Sequence, residues 1–116
     1  MSKKIVFMGT PRFSVPALES LINSNHEVLA VYSQPASKAN RGQKIIPSSV
    51  EVFANENSLN LRTPVNLDND EEYNFLKKLA PDIAVVIAYG KILPKRFLNL
   101  ALMHHLDSFV LLTNDP

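Results

Sequence analysis

The sequence predicts an α/β protein: a Rossmann-like, doubly wound, mostly parallel sheet with helices on both faces. Three observations predict it. Ile5-Val6-Phe7-Met8, Val28-Leu29-Ala30-Val31-Tyr32 and Ile83-Ala84-Val85-Val86-Ile87 are short, unbroken apolar runs, the pattern of strands covered on both faces in a parallel sheet. Segments of helical period alternate with these runs, which is the element order of a layered α/β domain. The first two runs and the helix between them form a βαβ unit of about thirty residues, whose crossover is expected to be right-handed.

The first strand ends at Gly9, and Phe13, Val15, Leu18, Leu21 and Ile22 then follow at the spacing of one helical face. Ser14 is placed to cap that helix, and Pro16 falls in the first turn, where a missing N–H costs nothing. The second strand is followed by residues 33–47, a polar stretch without period that reads as a long exposed loop. Ser48 or Ser49 is expected to cap a short helix carrying Val50, Val52, Phe53 and Ala54, and residues 59–64 form a weak third strand. Residues 69–79 read as a helix with Asp70, Glu71 and Glu72 at its start and Lys77 and Lys78 near its end, a polarity that suits the helix dipole. The fourth strand ends at Tyr89-Gly90, and residues 92–102 form a last amphipathic segment with Pro94 near its start.

Composition narrows the function classes. A chain of 116 residues with 46% hydrophobic and 20% charged residues is an ordinary globular composition at the size of one domain. The formal net charge of +1 makes the whole molecule no electrostatic magnet for nucleic acid, so any RNA contact has to come from a local cluster, and DNA is not an expected partner. With no cysteine there are no disulfides, thiolate nucleophiles or thiolate metal sites. No stretch approaches the roughly 20 apolar residues of a membrane span, and a soluble, cytoplasmic protein is expected.

In an open α/β sheet, ligands bind beyond the carboxyl ends of the strands, where the strand order reverses. With the first strand beside the fourth, Gly9 and Thr10 would face Ala88, Tyr89 and Gly90 across that crevice. A dinucleotide is disfavoured there, because Gly9-Thr10-Pro11-Arg12-Phe13-Ser14 lacks the second and third glycines of a pyrophosphate cradle. Lys38, Arg41 and Lys44 in the long loop could touch phosphates or could simply be solvated. His26 is expected to be exposed. His104 and His105, with Asp107 nearby, are a candidate for proton work, but adjacent residues of a strand face opposite ways and no third metal ligand is evident. Tyr89 reads as a rim aromatic, and Gly9 as a turn glycine.

Several segments taken together carry a resemblance. Met8-Gly9-Thr10-Pro11-Arg12-Phe13-Ser14-Val15-Pro16-Ala17-Leu18 resembles the opening of methionyl-tRNA formyltransferases. Tyr32-Ser33-Gln34-Pro35, Asn40-Arg41-Gly42-Gln43-Lys44 and Pro47-Ser48-Ser49-Val50 are similar to that family's long loop, and Val86-Ile87-Ala88-Tyr89-Gly90-Lys91-Ile92-Leu93-Pro94-Lys95 to its later motif. Sugar-nucleotide formyltransferases share the fold and the later motif, but the Arg-Gly-Lys loop resembles the tRNA-acting branch more.

The resemblance implies transfer of a formyl group from 10-formyltetrahydrofolate to the amine of methionine on initiator tRNA, without a metal. It implies a folate pocket at Ala88, Tyr89, Gly90, Ile92 and Leu93. It also implies a tRNA-contacting loop at Lys38, Arg41, Gly42 and Lys44. It carries no catalytic residue onto this chain. The family continues with a strand holding an asparagine and a histidine, and an ungapped alignment puts Asp107 and Phe109 at those positions. The family's third catalytic residue and its further domain would lie beyond Pro116. Residues 1–116 are thus expected to be a single partial amino-terminal domain, with residues 96–116 an atypical tail. The chain is expected to be an interrupted reading frame that is inactive alone. The other expectations are a non-catalytic folate- or RNA-binding remnant, and a different Rossmann-like enzyme using His104, His105 or Asp107.

Overall fold

The computed structural model describes residues 2–39, 44–103 and 108–112. The elements are β1 (Lys4–Gly9), a 3-10 turn (Arg12–Ser14), α1 (Val15–Ile22), β2 (Glu27–Tyr32), β3 (Ser37–Ala39), β4 (Lys44–Ile46), α2 (Ser49–Glu56), β5 (Leu61–Arg62), α3 (Asp70–Leu79), β6 (Ile83–Ile87), α4 (Lys95–Met103) and β7 (Ser108–Leu112). The main sheet runs β5-β2-β1-β6-β7, with every pairing parallel. The expected pairing of the first strand with the strand at 83–87 is present, and β7 adds a strand beyond the four expected.

The central strand β1 shows why the fold closes. Residues Ile5 to Met8 are at most 2% exposed, and alternate side chains enter two different cores. Val6 and Met8 join Ala30, Tyr32 and Val86 on the face covered by Leu76 of α3 and by Phe97 and Leu100 of α4. Phe7 and Val31 meet Leu18 of α1 and Val50 and Ala54 of α2 on the other face. Both faces are therefore roofed by helices, which is the condition for an all-parallel sheet.

Local capping signals hold at α2 and α3. The Ser48 hydroxyl accepts from the Glu51 N–H at 3.0 Å, and the Asn69 side chain accepts from the Glu72 N–H at 2.8 Å, so each caps its helix. Three acids begin α3 and two lysines end it, as the dipole favours. Ser14 differs from expectation. It makes no cap bond to α1, because its hydroxyl is used elsewhere, on the carbonyl of Ile87. The last helix begins at Lys95, not at 92, since the chain up to Pro94 is spent on a loop outside the sheet.

The stretch 33–47 is not wholly a loop. Ser37–Ala39 and Lys44–Ile46 form an antiparallel pair in which Ser37 faces Ile46 and Ala39 faces Lys44. The pair is a separate two-stranded sheet, and Ile45 and Ile46 remain exposed. With no core face to bury, the segment carries no alternating apolar pattern, which is why its sequence reads as loop. His26 is half-buried, not exposed, since the Lys3 N–H donates to its Nδ1 at 2.9 Å.

A charged residue sits inside the α3 side of the core. Glu72 is 7% exposed and accepts from Arg62 at two points, 2.8 Å from Nε and 3.0 Å from Nη2. The hydrogen bond it donates to Glu72 holds the Arg62 guanidinium above its usual pKa, and that guanidinium lies 3.9 Å from the centre of the Phe75 ring. Burial first, and then the Glu72 carboxylate, push the hydroxyls of Tyr32 and Tyr89 above the usual tyrosine value.

A phenol whose pKa is raised on folding holds its proton longer than in the unfolded chain. Its contribution is intact below the unfolded value of about 10 and is lost as pH rises above it. Stability should therefore fall above about pH 10, with each tyrosine removing up to about 1.4 kcal/mol per pH unit. Urea unfolding midpoints measured between about pH 8 and 11 check this, and Tyr89→Phe should flatten part of the decline.

Candidate ligand-binding site at the switch point

Strand order reverses between β1 and β6, because the chain leaves β1 towards β2 and β5 and returns to β6 on the other side. The carboxyl ends of these two strands are the topological switch point, where such sheets take ligands. Gly9 is level with Ile87 there. Two cavities open at that edge. One, of about 360 Å³, is lined by Val86, Ala88, Tyr89, Gly90, Lys91, Ile92, Leu93 and Leu98, and its walls are mainly apolar. The other, of about 450 Å³, is lined by Thr10, Pro11, Gln34, Pro35, Ser37, Ile46, Pro47, Ser48 and Ser49, with polar and apolar surface in equal measure.

Five residues singled out from the sequence, Ala88, Tyr89, Gly90, Ile92 and Leu93, thus line one cavity. Thr10 lines the second. Gly9 lines neither; it is buried at the end of β1, and it is not a turn glycine in the conformational sense, since its φ is not positive. A Cβ at Gly9 would stand 2.8 Å from the Phe7 ring, 2.9 Å from the Ile87 carbonyl oxygen and 3.0 Å from the Ser14 Cβ. Glycine is there because backbone and side chains converge on it.

Tyr89 is also corrected. It is 1% exposed, packed in the α3 side of the core, and its hydroxyl has no hydrogen-bond partner among the described residues. What it offers the crevice is its backbone: the Thr10 hydroxyl donates to the Tyr89 carbonyl at 2.6 Å. Ile92 is the reverse case, 93% exposed at the cavity rim. Lys38 and Lys44 fall in β3 and β4, and Lys44 is exposed. Arg41 and Gly42 lie outside the described residues, as do His104, His105 and Asp107.

Gln34 and Ser14 were not singled out as site residues. The Gln34 Nε2 donates to the Gly90 carbonyl at 3.0 Å, and the Ser14 hydroxyl donates to the Ile87 carbonyl at 2.8 Å. A polar residue beside a strand end gives no periodic signal, and its partners are 56 and 73 residues away in the chain. Among the described residues no group of three or more His, Cys, Asp or Glu side chains is gathered to hold a metal. Nor is any of their helices long and apolar enough to cross a membrane.

A parallel sheet roofed by helices on both faces, with an apolar cavity and a more polar one at its switch point, defines a doubly wound, Rossmann-like α/β domain. Comparison with known proteins narrows this: the family profile described as formyl transferase matches residues 3–106, and the chain belongs to that family. It is similar to the methionyl-tRNA formyltransferase of Pelagibacter ubique, 52% identical over 102 residues that cover 87% of this chain and 33% of that protein. The methionyl-tRNA formyltransferases of Coxiella burnetii and of a Jannaschia species are each 50% identical, over 85% and 83% of this chain and 32% of theirs. The chain spans about a third of the length of these relatives.

The steric argument at Gly9 has a measurable consequence. Gly9→Ala should destabilise the fold by about 1–3 kcal/mol through overpacking, reduced by the ~0.4–1 kcal/mol that alanine gains by restricting the unfolded chain. Urea unfolding of the two chains measures the difference.

Proposed function

We propose that this chain is the formyl-donor-binding part of a methionyl-tRNA formyltransferase. The apolar cavity would hold the ring system of 10-formyltetrahydrofolate, and the hairpin loop would face initiator methionyl-tRNA. The observation that carries the reading is the apolar cavity at the switch point, formed by Ala88, Gly90, Ile92 and Leu93, in a member of the formyl transferase family. Such a cavity suits a ring system, because its side chains offer apolar contact. When bound, the folate supplies the formyl group. This chain's residues would bind and orient it and shield it from water. A role in translation initiation would place the protein in the cytoplasm.

We further propose that this chain does not transfer the formyl group by itself. Phe109 stands where the resemblance expects a histidine, and phenylalanine has no proton to give or accept. In the sheet, Phe109 is level with Ala84, three positions before Ile87, so its backbone lies within the sheet and not at the carboxyl edge where the cavities open. The role that fits these residues is binding.

Calorimetric titration with tetrahydrofolate tests the donor reading. The chain should bind it, and Ile92→Asp should weaken binding about tenfold with little change in stability, because Ile92 is exposed at the cavity rim. Absence of binding by the unaltered chain would overturn the reading. For the loop, Arg41→Ala with Lys44→Ala should weaken binding to initiator tRNA. The slope of log affinity against log salt should also become shallower, by at most about 0.9 for each phosphate that the loop ceases to neutralise. Filter binding at several salt concentrations measures it, and an unchanged slope would remove the loop from the interface.

A further inference from the structure

The wall of the apolar cavity has an unusual construction. The ladder between β1 and β6 ends at Gly9 and Ile87, so the carbonyls after that point have no strand to bond. The next residues also turn sharply: Ala88 has φ 52° and Gly90 has φ 92°. A non-glycine residue such as Ala88 holds a left-handed conformation only where its surroundings enforce it.

Three side chains from elsewhere in the fold take the stranded carbonyls. The Ser14 hydroxyl donates to Ile87, the Thr10 hydroxyl to Tyr89 and the Gln34 amide to Gly90, at 2.8, 2.6 and 3.0 Å. Ser14 is fully buried. The Thr10 oxygen also accepts from the Gln34 N–H at 3.3 Å, so two of the three donors are joined to each other. Both of these also line the polar cavity.

From this geometry we propose that Thr10, Ser14 and Gln34 are positioning residues, a clasp that holds the Ala88–Gly90 turn in the shape that forms the apolar cavity. Its bearing on donor affinity rests on the folate reading above; its effect on the turn does not. The clasp replaces a missing strand: side-chain donors substitute for the backbone N–H groups that a longer ladder would have supplied. Gln34 lines the polar cavity and donates to the Gly90 carbonyl in the wall of the apolar one, so it ties the shape of one cavity to the side chains of the other.

The test uses Thr10→Val and Gln34→Leu, which keep the bulk and remove the donor, and Thr10→Ser, which keeps it. Two readouts are taken on the whole chain: backbone NMR shifts of Ala88 and Gly90, and calorimetric titration with tetrahydrofolate. Thr10→Val and Gln34→Leu should each move the Ala88 and Gly90 resonances while leaving those of Val6 and Val31 in place. They should also weaken tetrahydrofolate binding about tenfold, the scale of one broken hydrogen bond. Thr10→Ser should restore both readouts, with affinity within about twofold of the unaltered chain, because its hydroxyl keeps the bond. Gln34 is only half-buried, so its variant serves if Thr10→Val fails to fold. Unchanged Ala88 and Gly90 resonances in both donorless variants would overturn the clasp, and so would shifts spread evenly over the whole sheet. If the unaltered chain binds no tetrahydrofolate, the folate reading falls while the resonances still decide the clasp.

Discussion

The site depends on one steric constraint, the crowding at Gly9. The Phe7 ring, the Ile87 carbonyl and the Ser14 Cβ all come within about the radius at which a side chain could not be added. Because nothing is there, the chain leaving β1 stays against the end of β6. That closeness lets Ser14 and Thr10 reach carbonyls of the following turn. The apolar cavity and the polar one are linked there, since Thr10 and Gln34 line the second and donate to carbonyls of the turn that lines the first.

A second constraint holds the far side of the sheet. β5 has only two residues and pairs with β2 through Val31 and Tyr32, which is little ladder for a sheet edge. Arg62 compensates by clasping Glu72 on α3 and stacking on Phe75 of the same helix. Glu72 is thereby tied twice, by its carboxylate to Arg62 and by its N–H to the Asn69 cap. A buried ion pair of this sort offsets much of its attraction by desolvation, so its main effect is to specify which strand position meets which helical turn. The phenols of Tyr32 and Tyr89 are pushed above the usual tyrosine value by burial first and then by this same carboxylate.

These constraints bear on function together. The chain corresponds to about a third of the length of its methionyl-tRNA formyltransferase relatives, and within that third the turn at Ala88–Gly90 lines the apolar cavity. What departs from the resemblance is β7, with Phe109 set within the sheet.

The residues by themselves determined the sheet class and the placement of the central strands, because a strand covered on both faces must be apolar throughout and runs such as Ile83 to Ile87 have no other use. Helix starts were legible wherever the cap is a local contact, as at Ser48 and Asn69. The motif Ala88-Tyr89-Gly90 with Ile92 and Leu93 was legible as one lining. Only the tertiary structure decided the rest. Ser14 looks like a helix cap until β6 brings the Ile87 carbonyl within reach, and Tyr89 looks like a rim aromatic until the turn at Ala88 sends its ring into the core. The paired strands β3 and β4 have no core to leave a pattern, and Gln34 meets Gly90 across 56 residues of chain. Periodicity records what a segment does with its own neighbours; contacts between segments distant in the chain leave no period, and those contacts build the site.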